Sequence, residues 1–184
     1  MSALTRLLFA TGGTGGHIYP ALAVAQLARS EGLEVSFMGQ AEGMEARLVP
    51  EAGFSFHGVA AGKWDRGRPD PRQALRALAG LSGAVRHVRT TKPQLVVGFG
   101  GFASFPGCVA ALLTRTPLVL HEGNAFPSRV NRWFASRARL VISAHHEALQ
   151  HLRARAATVV PFPVREERVE RAAARRALGL PDHA

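Results

Sequence analysis

Seven short apolar runs, over residues 7–10, 35–38, 54–59, 95–99, 118–120, 140–142 and 158–160, are separated nearly everywhere by segments of helical periodicity. Runs this short and this uniformly apolar are strands buried on both faces, the condition of a parallel sheet covered by helices. Alternating strands and helices need crossover connections, and those are right-handed. The fold class that follows is α/β: a doubly wound, Rossmann-like, mainly parallel sheet. A chain of 184 residues holds one such domain, since a domain takes roughly 100 to 200 residues.

The first helix is expected to begin near Pro20, whose fixed φ suits a first helical turn, and to reach Gly32 with Ala21, Val24, Ala25 and Ala28 facing inward. A second long helix is expected over residues 70–91, capped by Asp70 ahead of Pro71 and carrying Leu75, Leu78, Leu81, Val85, His87 and Val88 along one side. Residues 165–178 read as a charged helix closed by Gly179, and Leu180 and Pro181 as the start of a linker toward another domain. The expected division is a domain over 1–165 and a helix with linker over 166–184. The opening ten residues read as a strand and not a signal peptide. The longest apolar stretch, 105–120, is broken by Thr114, Arg115, Thr116 and Pro117, short of the roughly 18 to 20 residues that span a bilayer.

Charge and cysteine narrow the partners. The net charge of +10 comes from 23 Lys and Arg against 13 Asp and Glu. Most of the excess follows the first 60 residues, and it favours phosphates, nucleic acid or an anionic membrane surface. Cys108 is the sole cysteine, which rules out a disulfide within the chain and fits a reducing compartment.

Chemistry concentrates where strands end. Gly12, Gly13, Gly15 and Gly16 surround Thr14 ahead of His17, at the turn from the first strand into the first helix. Glycines let backbone amides approach a ligand, and a helix N-terminus attracts negative charge, so the loop suits a phosphate-bearing group. A dinucleotide fingerprint counted from Gly13 would need its last glycine at Ile18, and a P-loop would need Gly-Lys at His17-Ile18. Both patterns fail. A second cluster, Gly98, Gly100, Gly101, Ser104 and Gly107, follows the fourth strand, and His121, Glu122, Gly123 and Asn124 follow the fifth. In a parallel sheet all three lie at the carboxyl edge, where open α/β folds bind ligands. Ser104 offers a hydroxyl donor or a helix cap. His145, His146 and His151 have no carboxylate or cysteine cluster beside them, so no metal is assigned.

These motifs, together with Met44, Glu45, Leu48, Val49 and Pro50 and with Pro163, Val164 and Arg165, resemble the MurG family of peptidoglycan GlcNAc transferases over nearly the whole chain. The resemblance implies the N-terminal half of a two-domain GT-B enzyme. Such an enzyme moves GlcNAc from UDP-GlcNAc, with inversion, to the muramyl sugar of undecaprenyl-diphosphate-linked lipid I, giving lipid II, without a cofactor. Carried over by position, Thr14, Gly15, Gly16, Asn124 and Arg165 reach the donor, and the clusters with Gly100, Gly101, Ser104 and His121 hold the acceptor diphosphate. His17 is then the candidate base, an imidazole near pKa 6.5 being suited to draw a proton from the attacking hydroxyl at neutral pH. Glu122 is a rival for that role. Two departures stand out: the family usually has Gln at Gly123, and Gly-Asn where this chain has Pro161-Phe162.

A lipid-linked acceptor further implies a cytoplasmic protein, peripheral on the anionic inner face of the cell membrane. Its docking surface would be Leu75, Leu78, Leu81 and Val85, flanked by Arg72, Arg76 and Arg86, with Trp64 on the preceding loop. A core-facing stripe with a solvated edge is the other reading of those residues. The competing functions are a non-catalytic recruiting subunit of a split GlcNAc transferase and a nucleic-acid binder. The second rests on charge alone, with no aromatic-basic motif, and no nucleic-acid partner is expected.

Overall fold

The computed structural model describes residues 4–60, 71–164 and 170–181, with the side chains of residues 71–77 outside that description. Seven strands, β1 (Arg6–Ala10), β2 (Glu34–Gln40), β3 (Ser55–Val59), β4 (Leu95–Gly98), β5 (Leu118–Glu122), β6 (Leu140–Ser143) and β7 (Ala157–Val159), form one sheet. Its order is β3-β2-β1-β4-β5-β6-β7, and every pairing is parallel. The chain winds outward from β1 in one direction and from β4 in the other. The point where winding reverses therefore lies between these two strands, which pair Ala10 with Gly98 at their carboxyl ends.

Alternate residues of β1 feed opposite cores. Leu8 and Ala10 join Met38, Val96, Leu120, Cys108 and Ala111 on one face, while Leu7 and Phe9 join Ile18, Leu22, Phe37 and Phe99 on the other. Helices α1 (Gly15–Ser30) and α2 (Glu45–Glu51) cover the second face; α3 (Pro71–Thr91), α4 (Phe105–Thr114) and α5 (Arg129–Phe134) cover the first. Phe9 anchors its layer, with ring centroids 5.5 Å from Phe37 and 5.0 Å from Phe99. Helix α4 lies close on the sheet because Gly107 faces it: a Cβ there would stand 2.6 Å from the Ala10 Cβ.

Three expectations change. Helix α1 starts at Gly15, five residues ahead of Pro20, because the second pair of glycines already follows helical dihedrals behind an extended Thr14. Pro20 sits buried in the second turn, where its ring costs a single N–H donor. On α3 the side facing the sheet carries Ala84 and Val88, whereas Leu81 and Val85 are half-buried and Leu78 is 62% exposed. The stripe is thus rotated from the expected core face. Strand β7 is exposed along its length, as an edge strand with β6 as its partner. The charged helix near the end, α7 (Arg171–Ala177), buries no residue and is followed by Gly179 at φ +65°. A short α6 (His146–Leu149) precedes β7. Among the described residues no helix is long and apolar enough to cross a membrane.

Candidate active site at the carboxyl edge of the sheet

The glycine loop after β1 is braced from beneath by an acid. Gly12 and Gly13 take φ of +144° and +86°, which turns the chain from β1 toward the extended Thr14. Below them Glu45, fully buried at the start of α2, accepts hydrogen bonds from the Gln40 amide (2.8 Å) and the Gly13 amide (3.2 Å). A Cβ on Gly12 or Gly43 would fall inside this carboxylate, and one on Gly39 would lie 2.7 Å from its Cγ. The Gly13 amide is therefore committed inward. Gly15 and Gly16, in the first turn of α1, have no carbonyl four residues back within the helix to bond. Their amides and the helix dipole are what the loop offers an anion.

The loop after β4 packs directly on the first. Gly100 and Gly101 have φ of +80° and +73°. A Cβ on Gly100 would stand 3.3 Å from His17 Nδ1, and one on Gly101 would meet the Gly12 carbonyl and lie 2.8 Å from His17 Cδ2. The His17 imidazole, carried at the end of the first glycine loop, thus packs against the second at the point where the winding reverses. Thr11 steadies it from behind by donating its hydroxyl to the His17 carbonyl at 2.9 Å. Ser104, fully buried, donates its hydroxyl to the Gly101 carbonyl at 2.9 Å. Through this bond it holds the loop.

Glu122 is occupied in the same way. Its Oε1 accepts from the Asn124 amide and side chain, both at 2.9 Å, and its Oε2 accepts from the Ser128 amide and Asn131 Nδ2, both at 2.9 Å. With 1% exposure and four N–H donors upon it, this carboxylate is a brace that orients Asn124 and is poorly placed to receive a proton. Asn131 also donates to the His121 carbonyl at 2.9 Å. His121 is 4% exposed, with Nε2 buried and unpartnered.

Burial sets the charge state of both histidines. It lowers the pKa of His17, against the opposing pull of the Glu122 charge and a hydrogen bond with the Phe99 backbone. It pushes His121 down to about 4, with Glu122 opposing and His17 adding to the fall. Two neutral imidazoles therefore stand at this edge at neutral pH, and a neutral imidazole is a competent proton acceptor.

Of the residues singled out in the sequence, Gly12 to His17, Gly100, Gly101, His121, Glu122 and Asn124 share one edge. Arg165 and the side chains of Trp64, Arg72, Leu75 and Arg76 lie outside the described residues. Glu45 and Asn131 join the site without having been assigned a role in it; the signal for Glu45 was an acid beside Gly39 and Gly43, facing a glycine loop. His145, His146 and His151 are exposed, and no group of three metal-ligating side chains occurs among the described residues. Two concavities of about 400 Å³ lie elsewhere: one by His57, Arg86 and His87, the other by Arg137, Arg139 and Arg155. The glycine loops line neither.

Residues 7–143 match the glycosyltransferase family 28 N-terminal domain. The chain is 49% identical over 182 residues to the UDP-N-acetylglucosamine–N-acetylmuramyl-(pentapeptide) pyrophosphoryl-undecaprenol N-acetylglucosamine transferase of Deinococcus radiodurans, covering 97% of this chain and 46% of that protein. The Thermus thermophilus protein of the same name is 42% identical over 174 residues, covering 95% of this chain and 51% of its own. The crystal structure of Acinetobacter baumannii MurG superposes with a TM-score of 0.73 at 29% identity, over 89% of this chain and 47% of that one. Anabaena HepE bound to UDP and glucose, at 22% identity and a TM-score of 0.59, shares the fold. The chain spans about half the length of the curated relatives it matches.

Proposed function

The chain belongs to glycosyltransferase family 28, whose N-terminal domain it carries, and from that premise we propose that it is the acceptor half of an inverting GlcNAc transferase. The reaction moves GlcNAc from UDP-GlcNAc to the muramyl sugar of undecaprenyl-diphosphate-linked lipid I and yields lipid II. The observation that carries this reading is His17, at the end of one glycine loop, packed against the other at the reversal point of the sheet. The first-turn amides of Gly15 and Gly16 suit a diphosphate, and a neutral imidazole beside them suits removal of a hydroxyl proton.

In this reading the acceptor diphosphate lies on the first-turn amides of α1 and on the loop of Gly100 and Gly101. The muramyl hydroxyl gives its proton to His17 as its oxygen bonds to the anomeric carbon of GlcNAc from the face opposite UDP, which leaves with the bonding electrons. Thr14, Gly15, Gly16, Asn124 and Arg165 face the donor, which rests mainly on a second domain reached through residues 166–184. Glu122 acts by fixing Asn124 and by holding a negative charge near His17. The protein works at the cytoplasmic face of the membrane, docked through the exposed side of α3 and the segment with Trp64 onto anionic lipid.

Titrating this 184-residue chain with UDP-GlcNAc and with a soluble lipid I analogue tests the assignment of halves. Acceptor binding is expected to be detectable and donor binding weak or absent; the reverse order overturns the assignment. For the transfer step, the chain is joined to the C-terminal half of the Deinococcus relative. His17→Ala should then lower turnover by about 10²- to 10⁴-fold while acceptor binding is kept, and near-normal turnover would remove His17 as the base.

A further inference from the structure

Phe162 lies just beyond β7, two strands away from His121 at the end of β5, yet its side chain reaches that residue. Its ring covers Gly123: a Cβ there would stand 2.6 Å from Phe162 Cε2 and 3.3 Å from Cδ2. Gly123 is absent from the residues with positive φ, so its backbone conformation is open to any side chain. What demands glycine at this position is the ring.

The same ring meets the His121 imidazole edge-on, with centroids 6.0 Å apart and planes at 60°. Phe99 covers the imidazole from within the sheet, at 5.2 Å and 37°. Phe162 is itself 40% exposed while His121 is 4% exposed. The phenyl ring is thus an outer wall between solvent and a histidine whose Nε2 has no partner. An unpartnered buried nitrogen holds its position through packing alone, and that packing comes from two aromatic rings.

We propose that Gly123 and Phe162 form one coupled unit in which Phe162 is a positioning residue, fixing and shielding the His121 imidazole next to His17. A side chain at position 123 and the ring at position 162 compete for one volume. The consequence for catalysis rests on the transfer reading above. A shielded His121 stays uncharged beside His17 and leaves His17 as the group that takes up the proton. The titratable groups acting on His121 are Glu122 from β5 and His17 from α1, and neither needs to move for the wall to work.

The test uses this chain and the histidine ring resonances in NMR. In the wild type His121 is expected to remain neutral at about pH 5.5. In Phe162→Ala its titration midpoint should rise by about one unit or more as water reaches the ring, and Phe162→Tyr, which keeps the wall, should restore the low midpoint. A double-mutant cycle supplies the second readout. Gly123→Gln alone should lower the melting temperature clearly, and adding Phe162→Asn should recover most of that loss. An unmoved His121 midpoint in Phe162→Ala, or additive effects of Gly123→Gln and Phe162→Asn, overturns the proposal. Neither measurement involves a substrate, so its failure leaves the transfer reading standing.

Discussion

A Cβ on Gly12 would fall inside the carboxylate of Glu45, so the glycine loop and the acid beneath it are fitted to each other. Glu45 has full burial and two backbone donors, of which Gly13 is exposed to water and Gln40 half-buried. Glu45→Ala should therefore cost about 1–3 kcal/mol, the range for a partly buried N–H left unmade. Glu45→Gln keeps the shape but turns an NH₂ toward one of the donors, for about 1–2 kcal/mol. Gly12→Ala meets both the carboxylate and a φ of +144° and should be worse than Glu45→Gln. Urea unfolding followed by circular dichroism ranks the three; a wild-type midpoint for Glu45→Ala would refute the brace.

Glu122 influences His17 through its charge. The carboxylate raises the His17 pKa against the lowering effect of burial, so Glu122→Gln should move the His17 titration midpoint further down. A base would behave otherwise: removing it would abolish the proton-accepting limb of the pH–rate profile, whereas removing a neighbouring charge shifts that limb to lower pH. NMR titration of His17 in the two proteins decides the matter, and an upward or absent shift contradicts the assignment. The substitution also introduces an NH₂ against four N–H donors, so a loss of about 1–3 kcal/mol in stability should accompany it.

Most of the architecture was legible because burial leaves a simple mark on sequence. β1 and β5 read as unbroken apolar runs and β2 as one interrupted at Ser36, and each ends within two residues of the expected boundary. The start of α1 is not where the sequence points because Pro20 gives a strong local signal for a first turn, while Gly15 and Gly16, which turn helical directly behind the extended Thr14, give a weak one. The side of α3 that packs was hidden for a similar reason. Leu78 is large and apolar but exposed, whereas Ala84, which faces the core, is small. The polar residues of the site were visible as types but not as partners. Nothing local in the sequence says that Glu122 is consumed by Asn124, Ser128 and Asn131, because those donors arrive from a turn and a helix that form only with the tertiary fold.

Stability should fall on acidification in a window fixed by the buried histidines. His17, His57, His87 and His121 all have pKa values lowered chiefly by burial. His57 and His87 also stack on one another, 3.9 Å between centroids. A histidine with a lowered pKa in the folded state takes up its proton first in the unfolded chain. Its contribution is therefore complete above about pH 6.5 and is lost progressively as pH falls toward the folded value. For His121, held at about 4, that loss amounts to roughly 3 kcal/mol between pH 6.5 and 4, at 1.36 kcal/mol per unit. Urea midpoints from about pH 7.5 to 4.5 should decline accordingly, and His121→Gln should flatten the lower part of the curve. A flat profile for the wild type would count against a neutral, buried His121.

The proposed membrane docking would assign a task to the exposed side of α3. Leu78, 62% exposed, shares a helical face with Ser82, Arg86 and Arg89, at spacings of four, eight and eleven residues. An apolar tip over basic residues suits the interface of an anionic bilayer, where each basic side chain contributes about 1 kcal/mol. Flotation with vesicles containing about 30% anionic phospholipid should therefore retain the chain, and neutral vesicles should retain much less. Leu78→Glu replaces apolar contact with a like charge while leaving the core untouched, since Ala84 and Val88 carry the packing. It should cut vesicle binding by about tenfold, and Arg86→Ala with Arg89→Ala by a similar factor, with unchanged melting temperature for Leu78→Glu. Equal retention of wild type and Leu78→Glu would move the docking surface away from this face. Equal retention on neutral and anionic vesicles would remove the electrostatic part of the argument.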